Sequence, residues 1–257
     1  MKLRNGTITG CSVGLETDGV RNTIERLTVT GNGVGIRIRD GVRNTLTSIL
    51  ADGNFIGVLM DDGADGSTLT DSTASHNTSI GFLVHEGDRN VLSGHRAVGN
   101  RFGFIVGTSE LRPQLTGNVA EHNEEHGFLV GAGASSIVLK GNHAVSNGGD
   151  GVQTSESTRT QVIGNDALSN GANGFFVLAS GNDSDSSNLL QRNRAVGNGK
   201  NGIAIDVTSI RNRVVGNTVT GHIAPFFDLL DMNPNCRRPA NTWTGNTVVT
   251  KSPDCLR

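Results

Sequence analysis

Four ionisable residues carry the clearest chemical signal in this 257-residue sequence: Arg37, Arg39, Asp61 and His85. Arg39, Asp61 and His85 follow one another at 22 and 24 residues, close to an interval at which much of the chain repeats. If that interval brings them side by side, the Asp orients the His ring and raises its basicity, while an Arg holds a carboxylate. Such a group suits abstraction of a proton α to a carboxylate. Glu16 and Asp18 occupy the same two columns earlier in the chain and are candidate binding residues. Asp18 and Asp61 would stand roughly 9–10 Å apart, near the upper limit for the carboxylate pair of an inverting glycosidase. The plainer account is a ladder of salt bridges on a solvated sheet face, where opposite charges pair across strands.

The elements that must position these residues are legible as a repeat. An Asn recurs at Asn32, Asn54, Asn77, Asn100, Asn123, Asn147, Asn170 and Asn198, mostly 22–24 residues apart, and His222 takes the next place. Five residues before it runs a second column, Asn118, Asn142, Asn165, Asn193 and Asn217, with Asn246 assigned to a later, irregular turn. Three before it sit Val29, Ala51, Ala74, Ala97, Ala120, Ala144, Ala167, Ala195 and Val219. After the Gly of each repeat comes an apolar residue: Ile36, Val58, Phe82, Phe104, Phe128, Val152, Phe175 or Ile203. A period near 23 is too short for helix-pair repeats and fits three short strands separated by turns. Stacking such coils sets each side chain over its counterpart at about 4.8 Å. Aliphatic and Phe columns then fill the interior, and Asn columns form amide ladders at the bends. The 36 Gly and 26 Asn of the sequence are thereby explained as structural.

The N-x-A-x-x-N-x-x-G-[IVF] motif, over roughly residues 5–222, resembles the right-handed parallel β-helix family, the pectate-lyase-like solenoids. The resemblance implies an all-β fold: one right-handed parallel β-helix of about 9–10 coils. Residues 1–222 are expected to form the solenoid. Residues 223–257 are expected to form a C-terminal cap within the same domain, folding back over the last coil. It also implies carbohydrate chemistry, and the residues' own columns make Arg37, Arg39, Asp61 and His85 the catalytic candidates for a lyase or epimerase acting on an acidic polysaccharide. The polygalacturonase carboxylate motifs are absent.

The strand that carries these residues continues apolar where it should face outward: Leu59, Leu83, Ile105, Leu129 and, further on, Phe176. A stripe of that length on a soluble protein meets something. Its partner is the cap or a folded-back loop, a second copy of the chain, or a ligand in an apolar groove. Two alternative functions follow: a non-catalytic binding or structural solenoid with this stripe as its interface, and a small-molecule isomerase or cyclase.

Other constellations are weaker. Glu121-His122-Asn123-Glu124-Glu125-His126, with His76 in the His122 column, has zinc or copper ligand types but reads as a solvated turn, so no metal residues are assigned. Asp61-Asp62-Gly63-Ala64-Asp65-Gly66 and Asn182-Asp183-Ser184-Asp185 offer oxygen ligands suited to calcium, without a complete calcium-loop spacing. Arg21, Arg43, Arg89, Arg112, Arg159 and Arg211 precede the strand opening each coil and read as a solubilising edge.

Cys11 occupies a small interior position and is expected to be a buried free thiol. Cys236 and Cys255 flank the last strand-like stretch and are expected to form one disulfide. The tail resembles those of secreted β-helix proteins, which implies a secreted or periplasmic protein; a cytoplasmic chain with two free thiols is the alternative. Residues 1–6 lack the apolar core of a signal peptide. With 22 Lys+Arg against 24 Asp+Glu, the net charge of −2 gives no reason to expect nucleic acid or an anionic membrane as partner. The expected partner is a polysaccharide or a small-molecule ligand.

Overall fold

The computed structural model describes residues 1–107, 112–131, 133–179, 187–233, 241–253 and 256. Every strand pairs in parallel with its counterpart one coil away, giving a right-handed β-helix without α-helices among the described residues. One strand per coil builds an 11-stranded front sheet, beginning Val13–Thr17, Val34–Arg39, Ile56–Asp61 and Ile80–Val84. The other strands form a bent back sheet of 19 strands. In the first two coils its two halves are continuous strands, Lys2–Thr9 and Thr23–Thr30; from Thr45–Thr47 and Leu50–Asp52 onward a bend divides them.

Register follows the repeat. Phe82 lies opposite Val58 and Phe104, and Phe104 opposite Phe128. The rings of Phe82, Phe104 and Phe128 stack inside the helix with centroids 4.9 and 4.8 Å apart and planes tilted by only 8° and 6°. The coil spacing therefore sets aromatic stacking directly. The Ala column is small for a steric reason. The Gly that opens each front strand passes close to it: a Cβ on Gly103 would lie 3.0 Å from Ala120 Cβ and 2.5 Å from the carbonyl oxygen of Gly127.

The Asn ladders form as expected. Asn100 is representative: its backbone N–H and its Nδ2 both donate to Asn123 Oδ1, at 3.0 and 3.1 Å, and Nδ2 also donates to the Ala74 carbonyl at 3.0 Å. Each rung thus satisfies buried donors that a bend would otherwise strand. His222 ends this ladder as a substitute for Asn. Its Nε2 accepts the Asn198 backbone N–H at 3.3 Å, and its Nδ1–H donates to Asp228 Oδ1 at 2.9 Å. Burial acts to raise the Asp228 carboxyl, yet N–H donors from Val249, His222 and Thr250 hold it below the usual carboxylate range.

Three expectations are corrected. The described strands of residues 223–257 do not fold back over the last coil but carry the helix on. Leu229–Asp231 stacks on Ile203–Ile205, Thr242–Thr244 on Arg213–Val215, and Lys251–Ser252 on Leu229–Asp231. Asn246 is likewise no irregular turn residue but the next rung, accepting from Asn217 at 2.9 Å. Cys11 is free but exposed rather than buried. Cys236 and Cys255 lie outside the described residues.

Candidate functional site

The charged residues singled out in the sequence converge on the outward side of the front sheet. Alternation puts Ile36, Ile38, Val58 and Met60 inside and leaves Arg37 and Arg39 outside, with Asp61 at the strand end. Arg39 and Asp61 are register partners, and the His85 backbone N–H donates to the Met60 carbonyl, which fixes His85 directly after Val84 on the next coil.

Asp61 is the centre of the cluster. Its Oδ2 accepts from Arg37 Nη2 at 2.7 Å, and its Oδ1 accepts from His85 Nδ1 at 3.2 Å. Arg37 also reaches Asp62 Oδ2 at 3.6 Å and Glu16 Oε2 at 3.7 Å, while Arg39 Nε pairs with Asp62 Oδ2 at 3.0 Å. The arginine that holds Asp61 is therefore Arg37, not its register partner Arg39. Arg37 stands opposite Leu59, which offers no charge, so its long side chain reaches diagonally to the carboxylates at the strand end. Burial acts to raise the Asp61 carboxyl, but the bonds from Arg37 and His85 outweigh it and hold the group below the usual carboxylate range. The same bond to Asp61 keeps the Arg37 guanidinium more firmly protonated than usual.

Asp61 is thus an ionised acceptor, so His85 must carry its proton on Nδ1 toward it, and the basic nitrogen of a neutral His85 is Nε2. Half of the His85 side chain remains solvent-facing (47% exposed). The group contains an oriented imidazole base and cationic side chains beside it for a carboxylate. Asp18 stands apart: it is exposed and has no ion-pair partner among the described residues.

The apolar stripe runs in register as expected, Leu59 beside Leu83, Ile105 and Leu129, with Gln153 separating it from Phe176. It is not open surface. Leu59 is only 8% exposed, and Leu83, Ile105, Leu129 and Phe176 are half-buried, because side chains stacked at the coil spacing cover one another.

The calcium-type turn is internally committed: Asp61 and Asp62 serve the arginines, and Asp65 Oδ1 accepts the Asp88 N–H at 2.7 Å. Asn182 to Asp185 lie outside the described residues. His76 pairs with Asp52 at 2.9 Å rather than with His122, with Gly99 between their coils. Among the described residues no group of three His, Cys, Asp or Glu is disposed to hold a metal.

A third polar ladder escaped the sequence reading. Asn22 donates its backbone N–H to Asn44 Oδ1, Asn44 to Ser67 Oγ, and Ser67 to Asn90 Oδ1; Asn188, Asn212 and Asn241 resume it. Pro113, Ile137 and Thr160 interrupt the column, so its period is hidden in the sequence.

Residues 12–167 match the family described as right handed beta helix region, and the chain belongs to that family. No curated protein matches the chain. Among solved structures, the A-module of the Azotobacter vinelandii mannuronan C-5 epimerase AlgE4 superposes with a TM-score of 0.78 at 19% identity, over 97% of this chain and 77% of that one. The periplasmic alginate epimerase AlgG (T265N T268M double mutant) gives 0.69 at 16%, over 77% of this chain and 50% of that one. The Dettilon tailspike protein gives 0.62 at 16%, over 93% and 52%. At these identities the likeness is one of fold.

Proposed function

We propose that this β-helix acts on an acidic polysaccharide, as a lyase or epimerase, with the front-sheet cluster as its site. The observation that carries the reading is the Asp61 carboxylate shared between Arg37 and His85. His85 Nε2 takes the proton α to a uronate carboxylate, Asp61 stabilises the imidazolium that forms, and Arg39 binds the substrate carboxylate as its charge grows. The carbanion then takes a proton from solvent on the opposite face while His85 returns its own to solvent, which is epimerisation, or the glycosidic oxygen leaves the β-carbon and takes the proton held by the His85 imidazolium, which is elimination. Glu16 lies beside the cluster, its Oε2 3.7 Å from Arg37. Support also comes from the names of the fold neighbours, two of which are epimerases of alginate-type polymers. On this reading the protein works outside the cytosol.

The test is incubation with polymannuronate, polyguluronate and polygalacturonate in heavy water. Elimination is read as ultraviolet absorbance of the unsaturated uronate, and epimerisation as deuterium entering C5. His85→Ala and Asp61→Asn should lower the rate by roughly 100-fold or more. Unchanged turnover in both variants on every responsive polymer would sink the assignment. The second reading is a non-catalytic binding solenoid, favoured by the mutual neutralisation of Arg37, Arg39, Asp61 and Asp62. It predicts saturable binding of a polymer that never turns over.

A further inference from the structure

The arginines that precede each coil's back-sheet strand form one column along the helix axis, at the bend that follows the front sheet. Arg21, Arg43, Arg89, Arg159 and Arg211 all hold left-handed backbone, with φ between 53° and 59°. Gly66 takes the same place with φ of 58° and Ser136 with φ of 60°. Glycine is the cheapest residue for that conformation, so the arginines there serve some end other than the bend itself.

Several charges on adjacent coils are opposite and paired: Arg4 with Glu25, Arg37 with Asp61, Arg101 with Glu125. In this column like charges sit on neighbouring coils, as at Arg21 and Arg43 or Arg89 and Arg112, an arrangement that opposes stability. Small residues interrupt it at Gly66, Ser136 and Ser187, and notches open at the first two. At Gly66 the notch is neutralised, since Asp65 and Asp88 line it and Asp88 pairs with Arg89 Nε at 2.6 Å.

At Ser136 it is not. Among the described residues that notch, about 210 Å3, is lined by Arg112, Ser135, Ser136 and Arg159, with no carboxylate. Arg159 has no ion-pair partner among the described residues, and Arg112 only a 3.7 Å approach to Asp88. The two guanidinium-bearing residues are two coils apart, about 9.6 Å along the axis, on either side of a vacated side-chain position. The Thr158 hydroxyl donates to Ser135 Oγ at 3.3 Å, and the Ser135 and Ser136 hydroxyls lie 3.4 Å apart at the floor. Two exposed guanidinium forks lining a notch that also holds Ser135 and Ser136 supply donor types suited to a tetrahedral or planar oxyanion.

We propose that the Ser136 notch is an oxyanion subsite that binds a pendant carboxylate or sulfate ester of a polysaccharide, clamped between Arg112 and Arg159. The identity of the polymer rests on the front-sheet reading; the clamp itself does not. The column runs along the rim where the front-sheet strands end, so a polyanion lying parallel to the axis meets successive arginines while it passes the cluster.

The experiment measures binding rather than turnover. Affinity electrophoresis and calorimetry at low salt compare the wild type with Arg112→Ala, Arg159→Ala and the double variant, against a polyuronate and a sulfated neutral dextran. Far-UV circular dichroism and thermal melts check the fold. The double variant should lose roughly tenfold or more in affinity, with a shallower salt dependence. Loss confined to the polyuronate assigns a carboxylate clamp, and loss for both polymers a general oxyanion clamp. Wild-type affinity of the folded double variant for both polymers overturns the proposal, whatever His85→Ala does to turnover.

Discussion

His95 shows how one residue can obey the ladder while breaking its sequence rule. It stands in the column of Asn118, accepts the Ser72 backbone N–H on Nδ1 at 3.1 Å and donates its own N–H to Asn118 Oδ1 at 3.0 Å. Its ring lies against Phe82, 4.7 Å between centroids. Burial lowers its pKa to about 4. The unfolded chain binds that proton near 6.5, so between these values the unfolded state holds more protons and stability rises with pH. The contribution is complete above about pH 6.5 and is lost as the pH falls toward 4. At pH 5 the loss is on the order of 2 kcal/mol. His95→Asn, which restores the ladder amide, should flatten the difference between urea midpoints at pH 7 and pH 5; an unchanged difference would contradict the assignment. Residue identity alone did not reveal this role, because the sequence shows only a histidine near a Gly, whereas the ladder geometry makes it an acceptor.

At the scale of the element, the front strands from Val13–Thr17 to Ile203–Ile205 each carry a Gly at their start whose constraint is close approach rather than backbone freedom. A Cβ on Gly103 would press to 2.5 Å on the Gly127 carbonyl oxygen, whereas one on Gly117, at φ of 63°, would meet nothing within 4 Å. Gly103→Ala should therefore cost roughly 1–3 kcal/mol through overpacking and displaced ladder bonds. Gly117→Ala should cost about 1 kcal/mol from its left-handed backbone alone. Denaturant unfolding of both variants checks the order; equal losses would mean that φ, not packing, sets the glycine column. The strands themselves were legible from period and alternation, down to the inward Phe column. The diagonal choice of Arg37 over Arg39 was not, since register names the facing residue while side-chain length and the neutral Leu59 decide where a charge goes.

As a whole molecule, a solenoid contacts only its nearest neighbours, so its end coils are the weakest. The single Trp reports on one of them. Trp243 is 5% exposed, stacks in register on Val214 and donates Nε1–H to Asp231 Oδ2 at 3.0 Å. Trp fluorescence should therefore shift at lower denaturant than far-UV circular dichroism, and Asp231→Ala should widen the gap; coincident transitions would show one cooperative block. The expected fold-back of residues 223–257 failed at this scale. Its irregular spacing hid strands whose partners, Ile203–Ile205 and Arg213–Val215, were already in place as templates. Spacing in the chain was enough for the stack of coils, the amide ladders and the neighbourhood of Asp61 and His85, because a period near 23 converts spacing into adjacency in space. Only the tertiary structure decided which arginine grips Asp61, how far the apolar stripe is covered, and that a vacated position at Ser136 leaves two arginines facing one notch. Those outcomes depend on side-chain reach and empty volume, which no period encodes.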